Sequence, residues 1–131
     1  MRIVRGALCA GMLALMGGLS CNDGTGPVAG SLKIELTTPN SGADGAIVVF
    51  VTGPVAPLSA AAPAGLRAFY DSLGITAKLA VTGTLSAGTI LTIGVDDVNR
   101  VAEYTATVQQ VAATGYQLRP SLAGYALAVT K

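Results

Sequence analysis

The stretch SLKIELT, residues 31–37, decides the fold of this chain. Apolar side chains stand at positions 32, 34 and 36, and polar side chains stand at positions 33, 35 and 37. Alternation with a period of two is typical of a β-strand that buries one face and exposes the other to water. The chain therefore contains at least one half-buried strand, and its surroundings decide the rest of the architecture.

Further segments on the C-terminal side of this strand have the same character. The run AIVVFVT, residues 46–52, is continuously apolar and rich in β-branched residues, which predicts a strand that is covered on both faces or lies at the centre of a sandwich. Additional strands are predicted at 75–81, 89–95, 104–111 and 125–130. Residues 66–73 fit helical and strand spacing alike, and their β-rich surroundings favour a strand.

Turn-forming residues separate these segments. The clusters at 39–45 and 83–88 predict two hairpin reversals, whereas the Ala- and Pro-rich segment 55–65 predicts a loop or an irregular edge. About seven short strands between residues 31 and 131 predict an all-β domain. We expect a single two-sheet antiparallel β-sandwich with Greek-key connections.

The N-terminal residues have a different pattern. Arg2 and Arg5 precede an uncharged, largely apolar run that ends at Ser20 and Cys21. This order is typical of a secretory signal peptide, predicted here at 1–20. The uncharged run from Gly6 to Asn22 falls short of the roughly 20 apolar residues that span a bilayer. Residues 21–30 are rich in Gly, which predicts a flexible tether before the domain at 31–131.

The residues GLSC, 18–21, resemble the lipobox of bacterial lipoproteins. The resemblance implies that Cys21 carries acyl chains and holds the protein on a membrane by its N-terminus. Asn22 stands where an Asp would resemble an inner-membrane retention signal, so the expected location is the outer membrane. The family favours Leu at the position of Gly18, and this difference leaves cleavage by the ordinary signal peptidase open. The protein would then be secreted or periplasmic.

The strand-forming part is also similar to known modules. The segments GSLKIELTTP, DGAIVVFVTG and VTGTLSAGTILTIGV resemble, in strand rhythm, the immunoglobulin-like and cohesin-like modules of bacterial surface proteins. The resemblance implies a β-sandwich and identifies no binding residue. Function does not follow from such a fold, because one fold supports many functions.

Composition excludes several classes of function. Removal of residues 1–20 leaves six of the eight basic residues against seven acidic ones, so the remaining chain has a net charge of −1 and no basic surface for nucleic acid. Its only cysteine is Cys21, which leaves no internal disulfide. The chain has no His, the commonest general base and zinc ligand. We predict no cofactor and no metal.

Two surface segments are candidates for binding. Asp96, Asp97 and Asn99 offer oxygen atoms of the kind that calcium prefers, but they lack the regular spacing of a calcium loop, which favours a solvated loop. Tyr116 and Arg119 lie in a predicted loop, where an exposed Tyr beside an Arg suits contact with a partner.

Three hypotheses on function follow. The first is a non-enzymatic envelope lipoprotein whose β-sandwich binds an envelope protein or polysaccharide, or has a structural role. The second is a small secreted enzyme, or an enzyme accessory domain, that uses surface carboxylates such as Asp96 or Asp97. The third is an assembly subunit that exchanges a strand through the run 46–51 or the terminal segment 125–130.

Overall fold

The computed structural model of the chain describes residues 26–131. The predicted signal peptide, Cys21 and the first half of the predicted tether lie outside the described residues. Within this range, no helix has the length and the apolar character that crossing a membrane requires.

Two antiparallel sheets of four strands each form the domain, and the predicted all-β sandwich is confirmed. The first sheet has the strand order β3-β6-β1-β8 and consists of β1 (Gly30–Thr37), β3 (Ser59–Ala61), β6 (Gly88–Val95) and β8 (Ala126–Thr130). The second sheet has the order β4-β5-β2-β7 and consists of β2 (Asp44–Thr52), β4 (Arg67–Leu73), β5 (Thr76–Leu85) and β7 (Thr105–Ala113). A short 3₁₀ helix, Val98–Glu103, connects β6 to β7.

Most of the chain connections cross from one sheet to the other. Of the seven links between consecutive strands in residues 26–131, only the β4–β5 link stays within a sheet. The first two strands lie in different sheets, whereas constant-type immunoglobulin domains begin with two strands in the same sheet. The chain therefore passes from one sheet to the other at almost every connection.

The core lies between the two sheets and is almost entirely aliphatic. Alternate residues of each strand point inward; among them Leu32, Ile34 and Leu36 of β1 are 0–3% exposed, as their alternation predicts. The inward residues of β5 and β6 complete this layer. Burial of each such side chain contributes about 1.5–3 kcal/mol, and this is the main stabilising term of the domain.

The apolar run 46–52 forms β2, a central strand between β5 and β7. Of the two alternatives, the central position is confirmed, and coverage on both faces is not found. Ile47, Val49 and Val51 are at most 1% exposed, whereas Val48 and Phe50 on the outer face are only half-buried. The outer face of the second sheet is therefore apolar and partly open to solvent.

The two predicted hairpins are wrong. The reversal at 39–45 carries the chain from β1 into the opposite sheet, and so does the reversal at 83–88 between β5 and β6. The two loops contact each other instead, because Gly42 donates its N–H to the carbonyl of Leu85 and Ala87 donates to Ser41 Oγ. Strands with one buried face can meet across the sandwich as well as side by side, and periodicity does not distinguish these arrangements.

The ambiguous segment 66–73 contains β4, which pairs with β5 over its whole length. The strand interpretation is confirmed. A two-residue turn, Gly74–Ile75, joins the two strands, and Gly74 has φ +76°, a conformation that other residues rarely adopt. An eighth strand, β3, lies in the segment 55–65 at an edge of the first sheet, in agreement with the alternative of an irregular edge.

Strand position also bears on the strand-exchange hypothesis. The run 46–51 lies within β2 and has a bonded neighbour on each side, so it has no free edge to donate or accept a strand. That prediction is wrong for this run. The terminal segment forms β8, which is an edge strand of the first sheet.

A close packing contact closes one end of the core. The ring of Tyr104 lies against Gly53, where a methyl group would stand 2.3 Å from ring carbons Cδ1 and Cε1. Tyr104 is 5% exposed, so its ring has little space to move away. Glycine at position 53 is therefore required by packing.

We predict that Gly53→Ala destabilises the domain by about 1–3 kcal/mol, because it overpacks the contact with Tyr104. Urea unfolding measures this free energy. Gly115→Ala is the matched control, since a methyl group there meets no atom within 4 Å. Equal unfolding midpoints for the two variants would contradict the packing argument.

Candidate binding loop

A buried carboxylate organises one end of the sandwich. Asp44, the first residue of β2, is 0% exposed. Its Oδ2 accepts a hydrogen bond of 2.8 Å from Thr38 Oγ1, and its Oδ1 accepts one of 3.0 Å from Arg119 Nε. The Tyr125 hydroxyl lies 2.9 and 3.0 Å from the two carboxylate oxygens. A buried carboxylate with this many hydrogen-bond partners is a structural element of the fold.

Arg119 supplies the opposite charge. Its Nη2 lies 2.9 Å from Asp44 Oδ1 and also donates to the carbonyl of Ala43 at 3.0 Å. The Asn40 side-chain amide donates to the Tyr125 hydroxyl at 2.9 Å, which leaves that hydroxyl's own proton for the carboxylate. We call these five residues, Thr38, Asn40, Asp44, Arg119 and Tyr125, the Asp44 cluster. The cluster joins the β1–β2 loop to the segment before β8.

The Asp44 cluster holds a loop at residues 113–119, which we call the Tyr116 loop. Ala113 accepts a hydrogen bond from the N–H of Tyr116 and donates its own N–H to Gln117, at 2.8 and 2.9 Å. Arg119 donates its N–H to Val111 at 2.8 Å, and Leu118 bridges to Ala112. The end of the loop thus continues the second sheet beside β7, and its conformation is fixed at both ends.

The Tyr116 loop presents two large apolar side chains to solvent. Tyr116 is 74% exposed and Leu118 is 63% exposed. Tyr116 has φ 64°, and it is the one residue other than glycine with positive φ in the described chain. Leu118 borders a shallow depression of about 60 Å³ on the outer face of the second sheet, with Ala46, Val48 and Gln110. An exposed aromatic side chain therefore stands beside a small apolar surface.

The structure separates the two residues that the sequence predicts as a binding pair. Tyr116 points to solvent as expected, whereas the guanidinium of Arg119 points inward to Asp44. The guanidinium of Arg119 is held there because the buried carboxylate of Asp44 needs a compensating charge. Arg119 is a positioning residue for the loop that carries Tyr116.

The other predicted site residues lie at the opposite end of the sandwich. Asp97 caps the 3₁₀ helix; its Oδ1 accepts from the N–H of Asn99 at 3.0 Å and from the N–H of Val28 at 3.3 Å. Val28 in turn accepts a hydrogen bond of 2.8 Å from the N–H of Val98. Asp96 and Asn99 are exposed. This group therefore fastens the incoming chain to the domain.

Two titrating groups follow in the same segment. The hydrogen bond from Arg100 lowers the pKa of the exposed Glu103 carboxyl. Burial raises the pKa of Tyr104, whose hydroxyl has no hydrogen-bond partner among the described residues. Residues 26–131 contain no group of three or more Asp, Glu, His or Cys side chains that could hold a metal ion.

The sequence does not predict the Asp44 cluster. Asp44 stands next to Gly45 in a run of turn-forming residues, so the pattern predicts an exposed turn. Its partners Arg119 and Tyr125 are 75 and 81 residues away in the chain. The only local signal is that Asp44 directly precedes the apolar strand 46–52, which does not show a buried charge.

Comparisons with protein families, curated proteins and solved structures found no match to this chain.

We predict that Arg119→Ala lowers the free energy of unfolding by about 3–5 kcal/mol, because it leaves the buried Asp44 carboxylate unpaired. The double variant Asp44→Ala/Arg119→Ala should lose less than the sum of the two single losses, since the residues interact directly. Urea unfolding of the three variants measures both quantities.

Glu103→Ala is the matched control, because it removes one partner of the exposed Arg100–Glu103 ion pair, and we expect no measurable change. Strictly additive losses at positions 44 and 119 would show that the pair does not stabilise the domain as a unit.

Proposed function

We propose that this chain is a cell-envelope lipoprotein whose β-sandwich is a non-catalytic module that binds a partner through the Tyr116 loop. One observation carries the proposal: a 74% exposed tyrosine with positive φ stands on a loop that a buried ion pair holds in place. The partner is an envelope protein or a polysaccharide of the cell surface.

The energetics of the loop support a binding role. A left-handed conformation costs a residue other than glycine roughly 1–2 kcal/mol, and strain of this kind is concentrated at ligand-binding and switch positions. The Asp44 cluster fixes the loop before any partner arrives, so binding does not need to order it. Tyr is among the residues enriched at binding hot spots, because it combines a large apolar ring with a polar hydroxyl.

Three carboxylates of the domain are held by structural contacts, which supports a role for them without catalysis. Asp44 accepts hydrogen bonds from Arg119, Tyr125 and Thr38, and Asp97 accepts hydrogen bonds from backbone N–H groups. Glu103 is paired with Arg100 on the surface. Each of these groups has a structural partner in the fold.

The place where the chain enters the domain, relative to the Tyr116 loop, supports an anchored module. Val28, where the chain enters the domain, lies beside Asp97 and Val98, at the end where β1 begins. Strand β1 then spans eight residues, about 23 Å at 3.3 Å per residue, and ends near the Asp44 cluster. The Tyr116 loop therefore lies at the end of the sandwich opposite the tether.

The length of the tether fits this arrangement. The seven residue steps from Cys21 to Val28 reach at most about 25 Å, so acyl chains on Cys21 would hold the entry end of the domain close to the membrane. In a single copy that stands upright on the membrane, the Tyr116 loop would then face away from that membrane. Three acyl chains make dissociation from the membrane negligible, since each buried methylene contributes about 0.8 kcal/mol.

We predict that the protein purified from bacterial membranes carries acyl chains on residue 21. Intact mass spectrometry should show the added mass on the wild-type chain and no added mass on Cys21→Ala, which should leave the membrane fraction. An unmodified wild-type chain that begins at Cys21 would instead establish ordinary secretion, and an uncleaved wild-type chain in the cytoplasm would overturn the export proposal.

We predict that a photo-crosslinking amino acid at position 116 forms a discrete adduct in intact cells. Leu58 is the matched control, because it is 66% exposed, apolar and at the tether end of the sandwich. Tyr116→Ala should weaken binding of the crosslinked partner at least about tenfold, as loss of a hot-spot residue does. Leu58→Ala should leave the affinity unchanged.

Identical adducts from positions 116 and 58 would show that contact is not specific to the Tyr116 loop. Loss of binding in Leu58→Ala, with normal binding in Tyr116→Ala, would place the binding surface at the tether end.

A further inference from the structure

Strand β4 is an open edge of the second sheet. It pairs with β5 on one side, and its burial pattern is exposed at six of seven positions. The structure describes nine exposed large hydrophobic residues, and four of them lie in this hairpin: Phe69, Tyr70, Leu73 and Ile75. Exposed edges with apolar side chains are sites where a further strand adds to a sheet.

Alternate residues of β4 have backbone N–H and C=O groups that are free to bond a further strand. Leu73 and Thr76 flank the two-residue turn, and flanking residues of such a hairpin exchange both backbone hydrogen bonds. Bonding then alternates along the strand, so positions 67, 69, 71 and 73 bond to β5. The N–H and C=O groups of Ala68, Tyr70 and Ser72 therefore point to the open side.

The side chains of β4 are complementary to themselves. Arg67, Phe69 and Asp71 lie on the outer face of the sheet, with the two charges placed symmetrically about Phe69. When a second β4 approaches in antiparallel direction with Phe69 opposite Phe69, each Arg67 stands opposite Asp71 of the other copy. The free backbone groups match as well, because Ala68 of each copy then stands opposite Tyr70 of the other.

We propose that two copies of this chain associate through antiparallel β4–β4 pairing centred on Phe69, which joins their second sheets into one sheet of eight strands. The arrangement is a two-fold dimer in which both copies use the same surface. Opposite charges and aromatic pairs directly across strands each contribute to the stability of a sheet. Arg67 and Asp71 form no ion pair of 4 Å or less within residues 26–131, so both are available to the second copy. Asp71 stands opposite Lys78 of β5, so in the dimer it would lie between Lys78 of its own copy and Arg67 of the other.

Other registers lack this match. Pairing centred on Tyr70 places Asp71 opposite Phe69 and leaves both charges without a partner in the other copy. Parallel pairing in register places like charges together, which destabilises a strand pair. The charges thus select one register and one direction.

The other sheet edges are less suited to this role. The end of β7 is covered by residues 117–119 of the Tyr116 loop, β8 has five residues, and β3 has three. Strands β4 and β7 lie at opposite edges of the second sheet. The Tyr116 loop takes no part in the pairing, and the inference goes beyond the proposed partner binding. The two copies run in opposite directions, so their tethers lie at opposite ends of the dimer. Both tethers reach one membrane when the strands lie along its surface, and the Tyr116 loops then point sideways from the dimer.

Charge reversal tests the pairing. In sedimentation equilibrium of the exported, purified protein, Arg67→Asp alone and Asp71→Arg alone should each raise the dimer dissociation constant about ten- to thirtyfold, since each converts two attractive pairs into two repulsive ones. The double variant Arg67→Asp/Asp71→Arg should restore the wild-type constant. Lys33→Asp, an equal charge change on the exposed side of β1, is the control and should have no effect.

A second measurement tests the register in intact cells. The two Phe69 residues form a non-hydrogen-bonded pair in this register, so their Cα atoms lie about 4.5 Å apart, within the range of a disulfide. Phe69→Cys should therefore give a linked peptide that joins position 69 of two chains, identified by mass spectrometry under oxidising conditions. Position 73 of the two copies would lie about 27 Å apart, so Leu73→Cys should give no such link.

A wild-type protein that stays monomeric at the highest soluble concentration, or a double reversal that fails to restore the dimer, overturns the proposal. A 73–73 link without a 69–69 link also overturns it, because it requires a different register. Both measurements leave Tyr116 unchanged, so failure here is distinct from failure of partner binding.

Discussion

The compensation of one buried charge determines how this domain is built at its far end. The Asp44 carboxylate has no exposure to solvent, and an ion of this kind loses several kcal/mol of hydration on burial. Only a structure that brings Arg119, Tyr125 and Thr38 to the carboxylate offsets this loss. The β1–β2 loop, the start of β2 and the segment before β8 must therefore be in place together. We infer that Asp44 specifies this arrangement more than it adds to net stability.

This constraint explains why the Tyr116 loop has a fixed conformation although its side chains are exposed. The loop has few apolar contacts of its own, and without Arg119 it would be held by a small number of backbone hydrogen bonds. The ion pair connects it to Asp44, the one buried charged residue among residues 26–131. A strained residue such as Tyr116 persists only where its surroundings determine its backbone, and the Asp44 cluster supplies that condition.

The sequence predicts the layers of this fold better than it predicts the order of strands within them. Alternation identifies the inward face of β1 because burial of Leu32, Ile34 and Leu36 depends only on the strand itself. The same pattern cannot show that β1 and β2 face each other across the core, since a turn between half-buried strands suits a hairpin and a crossing equally. The Asp44 cluster could not be predicted for a related reason: its charge partners are brought together by the completed fold, whereas Tyr116 could be selected from its place in a loop.

The two edge strands of the second sheet, β4 and β7, differ in how they limit pairing with a foreign strand. At the β7 edge, residues 117–119 cover the backbone of the last part of the strand, positions 111–113. At the β4 edge the backbone is open, and charged side chains at positions 67 and 71 are the remaining protection, as is common at natural sheet edges. Charges of opposite sign do not exclude every strand. Arg67 and Asp71 disfavour a strand that places a like charge or an apolar side chain opposite them. They favour a strand that places an acidic residue opposite Arg67 and a basic residue opposite Asp71. A second β4 in antiparallel direction has this arrangement, so the charged residues that protect this edge also select the strand that pairs with it.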